Sequence, residues 1–251
     1  MSSFDENPSS SLEQVPVLVL CGGRGSRLGS VTETAPKCLV DIGGKPFIEH
    51  QLGLLKRKGA KKVYLLTGYL SAQVEKFVSD AGDLGLSIEC LSDGDELKGT
   101  GGAVAQAAKS MSGTMAVMYG DSYLDIPMSS VCQRFQKCAR PSLMTIIENH
   151  EAISTQKSNV EYDPKRTLIK DYNKKNPTEA MRYIDYGLSF FDAAIFQELK
   201  RQDPCDLGDI FTELAGEGKL AGYEVQHRYY DINTPESLIE TRAYLSQNNL
   251  W

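Results

Sequence analysis

From Val17 onward, short apolar runs alternate with stretches in which apolar residues recur every three or four positions. The runs predict strands over 17–20 (VLVL), 62–68, 86–91 and 114–121, and the amphipathic stretches predict helices over 46–59, 71–82 and 103–111. The first of these helices opens on Pro46, whose fixed φ suits a first helical turn. It closes at Gly59 behind Lys56, Arg57 and Lys58, cations that suit a helix C-terminus. Strands alternating with helices imply a mostly parallel sheet covered on both faces. Past residue 140 the rhythm changes. Strand patterns over 142–149, 158–164, 167–175 and 184–192 follow one another with turns between. Helices over 193–202 and 206–218, strands over 220–225 and 228–233, and a terminal helix from Pro235 complete the chain. The expected fold class is α/β: a doubly wound, mostly parallel mixed sheet with a smaller mixed-sheet elaboration in the second half. Residues 1–15 (MSSFDENPSSSLEQV) are polar and serine-rich and are expected to form a disordered tail, leaving 16–251 as a single domain.

Composition narrows the partners. The chain has 251 residues, 41% of them apolar, enough to bury a sizeable core. Its 27 cationic and 33 anionic side chains leave a net charge of −6, a poor match for nucleic acid or an anionic membrane surface. Six cysteines lie without a CxxC or other metal-ligand spacing and read as small buried residues of a reducing cytoplasm, with no secretory signal at the start. No apolar run approaches the roughly 20 residues that a membrane helix needs.

The stretch after the first strand carries the chemistry: LCGGRGSRLGSVTETAPKCLVDIGGKP, residues 20–46. Glycines after a first strand let backbone amides approach a phosphate. The kinase-type phosphate loop G-x-x-x-x-G-K-[ST] does not occur. A dinucleotide-binding turn, G-x-G-x-x-G, would need glycine where Leu28 stands. The motif GGRGSRL followed by APKCL instead resembles the signature of the sugar-1-phosphate nucleotidyltransferases, GGxG[ST]RL and then PK-x-L, with Arg27 and Lys37 at that family's separation. KGTGGAV (98–104), MYGDSYL (118–124), LIKDYNKK, IDYGLSFF and YYDINTPESL resemble its later motifs, in order. Within the family, the chain is most similar to guanylyltransferases acting on mannose or heptose 1-phosphate.

The resemblance implies transfer of a nucleoside monophosphate from a nucleoside triphosphate to a sugar 1-phosphate. It also implies the roles. Cys21, Gly22, Gly23, Gly25 and Ser26, with Thr100, Gly101 and Gly102, would bind the nucleotide. Arg27 and Lys37 would be catalytic cations, and Lys174, Asp185 and Gly187 would meet the sugar phosphate. Asp121 and Asp231 would hold Mg²⁺. Two polyanions must meet in this reaction, so catalysis falls to positioning and charge neutralisation, and the ionised phosphate needs no general base. The chain departs from the family pattern in places. Asn173 replaces a glutamate, Asp185, Tyr186 and Leu188 alter the sugar-facing strand, and Asn233 replaces a glycine, a position where asparagine tolerates a left-handed backbone. A cytidylyl- or uridylyltransferase acting on another phosphate acceptor stays open, as does a non-catalytic homologue that binds sugar nucleotides. A homo-oligomer is compatible with the sequence.

Overall fold

A computed structural model of the chain describes residues 12–150, 157–198, 204–248 and 250. The apolar run at the start forms β1 (Val17–Leu20), with Val17, Leu18 and Val19 buried on both sides as a central parallel strand requires. The chain continues through β2 (Asp41–Ile42), β3 (Lys45–Pro46), α1 (Phe47–Arg57), β4 (Lys62–Thr67), α2 (Ser71–Asp80), β5 (Ser87–Ser92), α3 (Gly99–Ala108) and β6 (Thr114–Tyr119). Then come β7 (Ser122–Tyr123), α4 (Met128–Lys137), β8 (Ser142–Glu148), β9 (Val160–Asp163), β10 (Leu168–Tyr172) and β11 (Tyr183–Asp192). The last elements are α5 (Ile195–Glu198), α6 (Leu207–Gly216), β12 (Leu220–Glu224), β13 (Tyr230–Asp231) and α7 (Pro235–Gln247).

Nine strands of the described residues share one sheet in the order β5-β4-β1-β6-β11-β8-β12-β10-β9. The first four run parallel, and beyond β6 the sheet is mixed, with antiparallel β6–β11 and β11–β8 pairs and a parallel β8–β12 pair. β9 pairs with both β10 and β11, so the second half curls back on itself. Side chains alternate across the sheet as a period of two demands. Val17, Val19, Ala116 and Met118 pack into one core with α1, α2 and α4, while Leu18, Met115 and Val117 pack into the other with α3, α5 and α6. The sheet is therefore doubly wound. No described helix is long and apolar enough to cross a membrane.

Three expectations change. Residues 12–15 are not tail: Leu12–Gln14 form a 3₁₀ turn, and Leu12 and Val15 are buried in the core, where their apolar area outweighs the entropy of ordering a short segment. Residues 1–11 lie outside the described residues. The third helix begins at Gly99 rather than 103, taking the glycines of GTGGA into its first turn. Helix α4, for which no element was expected, has a serine- and cysteine-containing sequence of modest helix propensity. Its buried residues Met128, Val131, Cys132 and Phe135 nevertheless recur at i, i+3, i+4 and i+7, and tertiary burial prevails.

Candidate active site

The strand order reverses around β1. The chain leaves it for β4 on one side and for β6, later, on the other, and the crevice at the carboxyl ends of β1 and β6 is where open α/β sheets take ligands. Gly22 and Gly23 follow β1 at this edge, and Gly120 and Asp121 follow β6. A β-carbon on Gly22 would sit 3.1 Å from the Gly68 amide, whereas Gly23 faces open space. Gly25 has φ +64°, and a β-carbon there would press to 3.1 Å on Cβ of Lys37 and Cγ2 of Thr32. Its missing side chain lets the loop close over Lys37.

Lys37 opens the 3₁₀ turn Lys37–Leu39 behind Pro36 and is only 9% exposed. Its ammonium donates to Asp121 Oδ2 at 2.7 Å and to Asn233 Oδ1. Ser122 Oγ donates to the other Asp121 oxygen at 3.0 Å. Asp231, also 9% exposed, arrives from the far end of the chain. The antiparallel β7–β13 pair sets Asp231 opposite Ser122, and the Ile232 amide donates to the Asp121 carbonyl at 3.0 Å. Helix α7 anchors that turn through a capping box in which Thr234 and Ser237 satisfy each other's backbone, with Pro235 in the first turn. Asn233 donates its backbone N–H to Asp231 Oδ1 at 2.9 Å, and its side-chain oxygen accepts from Arg27 Nη2 at 3.0 Å.

Two clefts meet at this cluster. One, of about 230 Å³, has a largely apolar wall of Leu20, Leu66, Leu97 and Ala103 facing the glycine loop and Thr100. Arg24 lines it, with its guanidinium 5.2 Å from the Tyr69 ring centre. The other, of about 170 Å³, is polar and holds Arg27, Lys174, Asp185, Gly187, Asp231 and Asn233. Tyr119 and Asp121 line both. In the polar cleft the Lys174 ammonium stands 5.8 Å from the Tyr119 ring centre and 5.7 Å from that of Tyr172, within cation–π range. Asp185 sits at a bulge between β11 and β8 where the pairing register slips, beside Gly187 at φ +106°. One of its oxygens accepts from the Gly187 amide at 2.9 Å and the other from the Tyr119 hydroxyl at 3.2 Å. Desolvation raises the Asp185 pKa, and the nearby positive charge of Lys174 only partly offsets it.

The nucleotidyl transferase family profile matches residues 16–248, which contain every residue of this cluster. The chain belongs to that family. Among curated relatives, it is 27% identical over 226 residues to the catalytic subunit beta of a mannose-1-phosphate guanylyltransferase from Xenopus tropicalis, covering 88% of this chain and 62% of the relative. It is 24% identical to a D-glycero-alpha-D-manno-heptose 1-phosphate guanylyltransferase from Campylobacter jejuni, covering 87% of this chain and 95% of that one. The chain thus spans about three-fifths of the length of the mannose-1-phosphate relative. The fold is shared with the crystal structure of HddC from Yersinia pseudotuberculosis, with a TM-score of 0.78 at 21% identity over 92% of this chain and 99% of that one.

Within this family framework the residues singled out by motif divide. Lys37, Arg27, Asp121 and Asp231 come together, and Lys174, Asp185 and Gly187 line the adjoining polar cleft. Gly22, Gly23 and Thr100 line the apolar cleft, and Ser26 opens the 3₁₀ segment that carries Arg27. Cys21 does not face the cleft: its thiol is buried in the core beside Cys38, and a side-chain hydrogen bond with Cys38, together with burial, pushes its pKa well up. Gly101 and Gly102 are also turned away. The Gly101 amide donates to the Cys205 carbonyl at 2.9 Å, and a β-carbon on Gly101 would meet Ile210 Cδ1 at 2.9 Å and the Asp206 carbonyl at 3.0 Å. Gly101 allows α3 and α6 to pack closely, and the Thr100 hydroxyl accepts from the Leu207 amide at the start of α6. Arg24 and Tyr119 are additions that motif reading passed over. Asn233, noted as a residue that tolerates a left-handed backbone, makes no use of that tolerance: among the described residues only Leu70 and Thr167 combine a side chain with positive φ.

Among the described residues no group of three or more His, Cys, Asp or Glu side chains is placed to hold a metal. Asp121 and Asp231 offer two hard oxygen donors in the polar cleft, which both residues line. That number suits Mg²⁺, which takes one or two carboxylates together with substrate phosphate oxygens and water.

Proposed function

We propose that the chain transfers a nucleoside monophosphate, with GTP as the preferred donor, to a hexose or heptose 1-phosphate, releasing pyrophosphate and yielding an NDP-sugar. The observation that carries this reading is the meeting of an apolar cleft and a polar, lysine-bearing cleft at one acidic pair and one buried lysine. A base and ribose suit the first, and a phosphorylated sugar suits the second. The guanine choice is supported by the two relatives named as guanylyltransferases for mannose and heptose 1-phosphates and by a structure of HddC complexed with GMP-PN.

The chain's own residues then divide the work. The bare backbone at Gly22 and Gly23 admits the triphosphate close to β1. Arg27, a planar fork of donors, holds the departing pyrophosphate oxygens. Lys37 neutralises charge where the two phosphates meet, and its burial strengthens that field. Lys174 anchors the sugar's phosphate while Asp185 and Gly187 border the sugar. Asp121 and Asp231 would hold Mg²⁺, which when bound supplies charge neutralisation at the α-phosphate and the incoming oxygen. None of the three histidines lines either cleft, in keeping with a nucleophile that is already ionised. A pyrophosphate-release screen of four triphosphates against a panel of sugar 1-phosphates, with and without magnesium, tests the reading. Release is expected only with magnesium, GTP and a mannose- or heptose-type 1-phosphate together. Release with CTP or UTP instead moves the base assignment, and no release with any pair makes the chain a binding homologue.

A further inference from the structure

Asn233 lies at the glycine of the family pattern D-x-G-T-P that this segment resembles, and its backbone does not need a residue tolerant of positive φ. Its side chain has a different use. The single amide oxygen accepts from Lys37 Nζ and from Arg27 Nη2, the latter at 3.0 Å across 206 residues of sequence. An amide oxygen has two lone pairs, and both are engaged by cations. Asn233 is also fixed from behind, because its own N–H is held by Asp231. Arg27 is exposed, and Asn233 is its one hydrogen-bond partner among the described residues. Without that partner the guanidinium is a mobile surface side chain that must be ordered at each binding event.

We propose that Asn233 is a positioning residue that tethers Arg27 beside Lys37, clamping the guanidinium in place for the pyrophosphate portion of the triphosphate. Neutrality is essential to the device. A carboxylate at this position would cancel one of the two charges and crowd Asp121 and Asp231 with a third negative group, whereas glycine leaves Arg27 untethered. Clamped this way, Arg27 keeps four N–H donors and Lys37 keeps one beyond those given to Asn233 and Asp121, all available to phosphate oxygens.

This inference rests on the proposed role of Arg27 in nucleotidyl transfer, so the experiment separates the two. The full chain is titrated with inorganic pyrophosphate by calorimetry, and Michaelis constants are measured for GTP and for mannose 1-phosphate. Asn233→Ala should weaken pyrophosphate binding about tenfold, the scale of one hydrogen bond to a charged group. It should raise the constant for GTP by a similar factor while that for the sugar phosphate stays within about twofold. Asn233→Gly should show the same loss and serves as the reading should the alanine variant fail to fold. Asn233→Ala combined with Arg27→Ala should be little worse than Arg27→Ala alone, whereas its combination with Lys174→Ala should be additive. Wild-type pyrophosphate affinity in the folded alanine or glycine variant, or losses that add with Arg27→Ala, would overturn the clamp. A wild-type chain that binds pyrophosphate but makes no NDP-sugar overturns the transferase reading while the clamp is still measured by binding. A chain that does not bind pyrophosphate overturns both.

Discussion

A half-buried carboxylate and an aromatic-ringed lysine give the polar cleft its character. Asp185 has its pKa raised by desolvation, so its ionised form is disfavoured in the folded protein relative to the unfolded chain. The sign of the linkage follows. Between the unfolded and the raised folded pKa the native state binds more protons, and stability falls as pH rises through that window. Asp185→Asn, which keeps an acceptor for the Gly187 amide, should therefore raise the melting temperature at neutral pH. Its advantage should shrink as the pH drops below the carboxylate range. A gap that stays constant across a melting series from pH 4 to pH 8 would show that Asp185 is not held against its charge. Lys174 is expected to act on the sugar phosphate alone. Lys174→Ala should raise the Michaelis constant for the sugar 1-phosphate about tenfold or more and leave that for the triphosphate little changed, since one charge-assisted contact is of that order. Equal effects on both substrates would take Lys174 out of the acceptor site.

Single elements show what could be read in advance and what could not. The parallel strands β1, β4 and β6 and the helices between them announce themselves because buried parallel strands are largely apolar and their crossover helices have a distinct period, while the edge strand β5, SIECLS, shows itself by its alternation. Helix α4 was hidden by low intrinsic propensity, although its four-residue apolar stripe was present. The GTGG segment was legible as special but not as to purpose. Glycine marks close backbone approach, and sequence does not say whether a ligand or another helix does the approaching. Here it is α6. Gly101→Ala should thus cost about 1–3 kcal/mol of stability by overpacking the α3–α6 contact, measured by denaturant unfolding. The Michaelis constants of the folded fraction should stay near wild type. A large rise in the constant for the triphosphate with stability intact would return Gly101 to the nucleotide site.

At the scale of the whole molecule, the decisive feature is convergence. Lys37, Asp121 and the 231–233 turn are brought together by the reversal of strand order at β1 and by a two-residue bridge between β7 and β13. Nothing local in the sequence encodes that bridge. Only the resemblance of the separated motifs implied it, and the strand order of the curled second half was equally out of reach because its pairings join distant segments. Likewise, Asn233 reads as a tolerated replacement until its neighbours in space are known. The most direct test of the cluster is the turnover of folded Lys37→Ala with the triphosphate and sugar 1-phosphate pair that the wild type uses. Because a preorganised charge stabiliser in a desolvated site is typically worth about 10²–10³ in turnover, the variant should lose that much while its fold, checked by circular dichroism, is retained. Turnover within a few-fold of the wild type would contradict the assignment of this cluster as the reaction centre.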